Sequence, residues 1–236
     1  MNFTNKPILG MLHLSGQHVV DRAKRELDIL QDEGVHGAII ENYHSGIEDV
    51  IGVLENINWK DYSNLKLGIN ILPNDYKMAL SLASEHNFDF IQLDHIAGNY
   101  LNTKSVIEEE YLMVREQYPN IKVLGGVWPK YYQPIPESIL EDDLKSAMFR
   151  CDAVVVTGKG TGKETPLDKV EKFKKIIKDF PLIVGAGLNS SNVKEQLKIA
   201  DGAIVGSCFK PFNRTNEIID KLLVKEFMDE VKKINL

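Results

Sequence analysis

Polar and titratable residues gather at the ends of short apolar runs in this chain, and their types suit proton transfer. Asp94-His95 closes the run that begins at Phe88, Glu41-Asn42 follows GAII, and His13 closes ILGMLH. A carboxylate close to an imidazole raises its pKa and fixes its tautomer, which general acid–base chemistry uses. Adjacent residues on a strand point to opposite faces, so only one of Asp94 and His95 faces a common pocket unless the strand has ended. Glu41 reads as a general acid or base, or as the structural partner of a lysine or histidine on a neighbouring strand. His13 either lines the pocket or sits in the core.

Two further runs stop at glycine. Residues 181–187 read PLIVGAG and lead into LNSSN, and residues 202–207 read GAIVGS and lead into CFK. Glycine lets backbone N–H groups approach an anion closely. Ser190 or Ser191 is placed to cap a following helix whose dipole favours negative charge. Tight turns after parallel strands are the simpler reading of such glycines. Because they occur as a pair, Gly185, Gly187, Ser190, Gly206 and Ser207 are read as a phosphate site, joined by Gly158 from the glycine-rich segment before them.

Other polar positions fall in the same places. Asn70 points inward from the third run, while Asn74-Asp75 after Pro73 reads equally well as a helix N-cap. Lys130 follows Pro129 and is suited to phosphate contact, although Schiff-base chemistry and simple solvation are alternatives. The segment TGKGTGK, residues 157–163, is glycine-rich and basic. It is not a P-loop: Gly158 to Gly162 is one residue too short, and Glu164 stands where a hydroxyl is needed. It reads as a lid over the pocket or as a flexible loop.

The elements that must position these residues repeat along the chain. Eight apolar runs, at 8–14, 37–41, 66–72, 88–93, 122–127, 153–157, 182–184 and 203–205, lack polar alternation and suit strands buried on both faces. Their spacing of roughly 20–33 residues is that of a β-plus-α unit. Val19, Ala23, Leu27 and Leu30 form a helical stripe ending at Gly34, and Ile219, Leu223 and Phe227 form another. Ser45-x-x-Glu48, Ser105-x-x-Glu108 and Ser138-x-x-Glu141 read as capping boxes, and Thr165-Pro166 as a cap followed by proline at N1. Eight such units predict a (β/α)8 TIM barrel over residues 1–236 as one domain. A doubly wound sheet is the competing architecture, but no G-x-G-x-x-G follows the first run. In a barrel, strands seven and eight are where a phosphate site is commonly built, and the C-terminal mouth is where chemistry sits.

Composition limits the classes of function. A net charge of −6 argues against a general polyanion-binding surface, and no aromatic-basic stripe suggests nucleic acid. The two cysteines, Cys151 and Cys208, lack C-x-x-C spacing and read as buried free thiols, so a cytoplasmic location is expected. No apolar run is long enough to span a membrane, and MNFTNKP has no signal-like core. His13, Glu41, Asp94 and His95 are of metal-ligating types, but no local metal motif supports them, so no cofactor is expected. Barrels with exposed helices commonly form homo-oligomers, which is expected here.

The segments KPILGMLHL, GVHGAIIEN, LGINILPND, DFIQLDHIAG, VVVTGKGTG and VGAGLNSSNV…ADGAIVGS together resemble the BtpA family, which includes SgcQ-like bacterial proteins. The resemblance runs in order along nearly the whole chain. It implies a phosphate-binding TIM barrel with site residues at His13, Glu41, Asn42, Asn70, Asn74, Asp75, Thr157, Gly158, Thr161, Gly162, Gly187 and Ser207. Two features depart from the family pattern. The first β/α loop is short, Ser15-Gly16, and strand five ends GGVWPKYY where relatives often carry Asp and a Lys-His pair. The expected function is therefore an enzyme acting on a small phosphorylated metabolite. The alternatives are a non-catalytic assembly or regulatory protein, as the family's link to photosystem I biogenesis suggests, and a phosphometabolite sensor.

Overall fold

Short β-branched runs that are buried on both faces can satisfy their backbone only in a ladder, and here they do so in a closed one. The computed structural model of the chain describes residues 2–234. Parallel strands pair in chain order from β1 to β8, and β8 returns to pair with β1. The strands are β1 (Ile8–His13), β2 (Gly37–Glu41), β3 (Lys66–Asn70), β4 (Phe90–Leu93), β5 (Lys122–Gly126), β6 (Ala153–Val156), β7 (Leu182–Val184) and β8 (Gly202–Val205). The helices between and after them are α1 (Val19–Asp32), α2 (Ile47–Asn56), α3 (Tyr76–Glu85), α4 (Glu108–Arg115), α5 (Leu140–Arg150), α6 (Leu167–Ile177), α7 (Val193–Ile199) and α8 (Lys221–Lys232). The expected TIM barrel is the observed fold. Among the described residues, no helix is long and apolar enough to cross a membrane.

Strand periodicity divides the apolar residues into two cores. One lies inside the barrel and is made by Leu9, Met11, Ile39, Phe90, Leu124, Ala153, Val155, Ile183 and Ile204. The larger one fills the space between the outer face of the sheet and the helices. The Phe90 ring fills the interior where Gly68 has no side chain; a Cβ at Gly68 would lie 2.3 Å from it. Following the inward parity upward leads from Met11 to His13, from Ile39 to Glu41, and from Gly68 to Asn70. It likewise leads from Phe90 past Gln92 to Asp94, from Val155 to Thr157, from Ile183 to Gly185, and from Ile204 to Gly206. His13 is level with Glu41, and Glu41 with Asn70, on adjacent strands.

The helix boundaries correct the expected caps. Gly34 does end α1 in the left-handed conformation at φ 77°, with Val35 N–H returning to the Leu30 carbonyl. None of the three capping boxes forms, because each serine lies ahead of the residue at which its helix is capped. Gly46 and Ile139 stand at the N-caps of α2 and α5, and Ile107 at that of α4. Ser105 bonds the Asn99 side chain and Ser138 the Asn99 carbonyl. Thr165 gives its hydroxyl to the Ala186 carbonyl at 2.9 Å, so Pro166 rather than Thr165 is the N-cap of α6. That bond ties the loop after β6 to the loop after β7.

Candidate active site

The C-terminal ends of the strands enclose a cavity of about 510 Å³. One wall is polar and titratable, with His13, Glu41, Asp94, Lys130 and Tyr132; the other is glycine and hydroxyl, with Thr157, Thr161, Gly162, Gly185, Gly187, Gly206 and Ser207. Strand parity delivers His13, Glu41 and Asp94 of the first wall and the β5 loop its Lys130 and Tyr132, whereas the segments after β6, β7 and β8 deliver the second.

A row of hydrogen bonds and close polar contacts crosses the polar wall from one element to the next. Lys210 Nζ lies 3.1 Å from His13 Nδ1, and His13 Nε2 lies 3.5 Å from Glu41 Oε2. Asn70 Nδ2 donates to Glu41 Oε1 at 2.7 Å and reaches Asp94 Oδ1 at 3.5 Å. The Tyr132 hydroxyl completes the row by donating to Asp94 Oδ2 at 3.1 Å. Burial, with the Asp94 charge adding to it, pushes the Glu41 carboxyl up to about 7, against the opposing pull of Lys130 and the Asn70 amide. Burial and the neighbouring Lys210 hold His13 well below the usual imidazole range. A carboxyl of pKa near neutrality gives or takes a proton at little cost at pH 7, so Glu41 is the proton carrier this arrangement best provides.

The second wall is rich in backbone donors. Immediately after β8, Ser207–Phe209 forms a 3-10 turn whose first N–H groups have no acceptor within the turn. The loop after β6 closes over this region. A Cβ on Gly162 would lie 3.0 Å from the Ser207 hydroxyl, and one on Gly187 would lie 2.2 Å from the Lys163 carbonyl oxygen. Gly187 has φ 71°, so both its conformation and its contacts require glycine. Thr161, at the loop's tip, is held from two sides. Its hydroxyl lies 3.1 Å from the Tyr43 hydroxyl and 3.2 Å from that of Tyr131, and its N–H donates to Tyr131 Oη at 2.9 Å. Thr157 accepts the Lys130 N–H at 2.7 Å, joining the β6 end to the β5 loop.

Several residues singled out from the sequence stand elsewhere. Asp94 faces the cavity and His95 faces away, packed between the rings of Tyr100 and Tyr132. Asn70 lies beneath the cavity and supports the two carboxylates from there. The Asn42 side chain bonds the Leu72 backbone at 2.8 Å rather than lining the cavity. Asp75 is the N-cap of α3, accepting Met78 N–H, while Asn74 bonds the His95 backbone. Ser190 gives its hydroxyl to Glu226, and Asn189 Oδ1 accepts the N–H groups of Ser191 and Asn192 that an anion would have needed. Gly158 packs against the Glu164 carbonyl and lies outside the cavity wall.

Lys210 and the three tyrosines, Tyr43, Tyr131 and Tyr132, were not identified as site residues from sequence. Tyr131-Tyr132 follow Lys130 directly, which is a usable signal; nothing in GSCFKP marks a lysine that is fully buried. Among the described residues, no three His, Cys, Asp or Glu side chains gather to hold a metal ion. Burial raises the thiol of Cys151 to about 12 and that of Cys208 to about 11, which leaves both unreactive as nucleophiles.

The sequence profile of the BtpA family matches residues 4–233. An uncharacterized protein of Methanocaldococcus jannaschii is 31% identical over 99% of this chain and 98% of its own length. The photosystem I biogenesis protein BtpA of Synechocystis is 26% identical over 96% of this chain and 88% of its own. Among solved structures, N-(5'-phosphoribosyl)anthranilate isomerase from Pyrococcus furiosus superposes with a TM-score of 0.64 at 16% identity, covering 97% of this chain and 100% of that one. At that identity the likeness is one of fold alone.

Proposed function

The chain belongs to the BtpA family, and from that premise we propose that it is an enzyme acting on a small phosphorylated metabolite. The observation that carries this reading is that one cavity holds both a buried carboxyl poised near neutrality and a wall of glycines and hydroxyls. Backbone N–H groups at Gly187, Gly206 and Ser207 would take the phosphate, with Thr157, Thr161 and Lys130 beside it. Glu41 exchanges the proton, and Asp94 sustains its raised pKa. A cavity of about 510 Å³ suits a ligand of sugar-phosphate or nucleotide size. Isomerisation, aldol-type cleavage and glycosidic cleavage each use a positioned proton carrier, against which an anchored phosphate would hold the reacting carbons. The name of the isomerase that shares this fold points to a phosphoribosyl ligand in a comparable barrel.

The test is a thermal-shift screen of sugar phosphates and nucleotides, followed by turnover assays on the binders with wild type and Glu41→Gln. Binding retained with turnover abolished supports the proposal, and unchanged turnover in Glu41→Gln overturns it. The name of the Synechocystis relative supports a second reading, a non-catalytic assembly protein. That reading requires the cellular role to survive Glu41→Gln combined with Asp94→Asn.

A further inference from the structure

Lys210 is fully buried next to the polar wall, yet it does not line the cavity. Its Nζ has two close partners, the Thr215 carbonyl at 3.0 Å and His13 Nδ1 at 3.1 Å. An ammonium group has only donors, so the His13 nitrogen it meets must offer a lone pair. The ring then holds its single proton at Nε2, the nitrogen on the Glu41 side. A second proton at Nδ1 would point straight at the lysine charge.

We infer that Lys210 is a positioning residue that locks His13 as the neutral Nε2–H tautomer. This makes His13 a fixed hydrogen-bond donor into the mouth rather than a base. The inference rests on the reading of this mouth as a proton-transfer site and sharpens it. Glu41 carries the proton, while His13 turns its Nε2–H toward Glu41, 3.5 Å away, and toward a substrate oxygen, and transfers none.

The surroundings of the ring agree. The charged and titratable groups facing it are Lys210 from the β8 loop, Lys130 from the β5 loop, His44 and Tyr43 from the β2 loop, Arg22 from α1 and Glu41 from β2. Burial, joined by the field of the three cations among them, opposes an imidazolium. Burial brings Lys210 itself down to about 8, so the ammonium donor persists through neutral pH.

The experiment is 15N NMR of ligand-free protein labelled at the histidine rings, with the His13 signals assigned by their loss in His13→Asn. From pH 6 to 7.5, His13 Nδ1 is expected at a shift typical of a bare ring nitrogen and Nε2 at that of a protonated one, with no titration. In Lys210→Met, checked for folding by circular dichroism, the two shifts are expected to move toward each other as the tautomers mix. A wild-type ring protonated at Nδ1, or an imidazolium at pH 6, overturns the inference without requiring any variant. Unchanged shifts in folded Lys210→Met overturn it as well. Neither result depends on turnover, so the inference and the proposed activity fail separately.

Discussion

Asn70 donates through Nδ2 to Oε1 of Glu41 at 2.7 Å, level with it on the neighbouring strand and beneath the cavity. The same amide nitrogen reaches Asp94, so one neutral side chain holds two acidic ones in a fixed relation. The two neighbours act on Glu41 in opposite senses: the Asn70 bond favours the ionised carboxylate, and the Asp94 charge disfavours it.

Glu41 is therefore expected to titrate near 7 in the wild type, higher in Asn70→Leu, and lower in Asp94→Asn. A 13C titration of glutamate-labelled protein, assigned with Glu41→Gln, measures all three. Shifts in the same direction for both variants would break the argument. Turnover governed by Glu41 should follow the same displacements along the pH axis.

Stability should carry the same signature. The folded Glu41 carboxyl binds its proton more tightly than the unfolded one, whose ordinary value is 4.5. Below that value both states are protonated and nothing is lost. As pH rises toward about 7, unfolding releases a proton that folding retains, so stability falls; above that it levels off. Glu41→Gln removes this penalty. It should match the wild type near pH 4 and exceed it at pH 8, by a difference on the order of 3 kcal/mol. Urea unfolding at pH 4, 6 and 8 reads the difference, and a gap that narrows with rising pH would contradict it.

At the other wall, Gly187→Ala should remove anion binding. An alanine there meets the Lys163 carbonyl at 2.2 Å and resists φ 71°, so the loop after β6 must lift or the β7 loop must distort. Inorganic phosphate is expected to raise the melting temperature of wild type and leave Gly187→Ala at least tenfold weaker in apparent affinity. The variant should also lose about 1–2 kcal/mol of stability. Ser190→Ala is the control: its hydroxyl faces Glu226, so phosphate should protect it as it does the wild type.

How far the sequence discloses this site follows from where each signal resides. Strand parity is local and periodic, so counting from Ile39 to Glu41 or from Val155 to Thr157 finds the inward residues and predicts the barrel mouth. The same count separates Asp94, in phase with Phe90 and Gln92, from His95. Caps depend on where a loop releases its serine, and Ser105 and Ser138 are held by Asn99, a residue outside either helix. Lys210 lies 197 residues from His13 along the chain. Only closure of β8 onto β1 brings them together, and no local pattern encodes that contact.

The loop over the mouth provides the last prediction. Thr161 gathers bonds from Tyr43 on the β2 side and Tyr131 on the β5 side, so one hydroxyl fastens the loop across the cavity. Thr161→Val keeps the shape and removes both side-chain bonds, leaving only the backbone N–H to Tyr131. These groups are partly solvated, so global stability should change by less than about 1 kcal/mol. The loop itself should open more often, because closure rests on few buried contacts. Amide exchange across residues 158–164 is expected to quicken in Thr161→Val, along with trypsin cleavage after Lys159 and Lys163, both exposed. Saturating phosphate should slow both in the wild type, since an anion held in the proposed site would bridge the loop to the glycines beneath it. Exchange that is indifferent to both the substitution and phosphate would show that the loop closes over the mouth without responding to what the mouth holds.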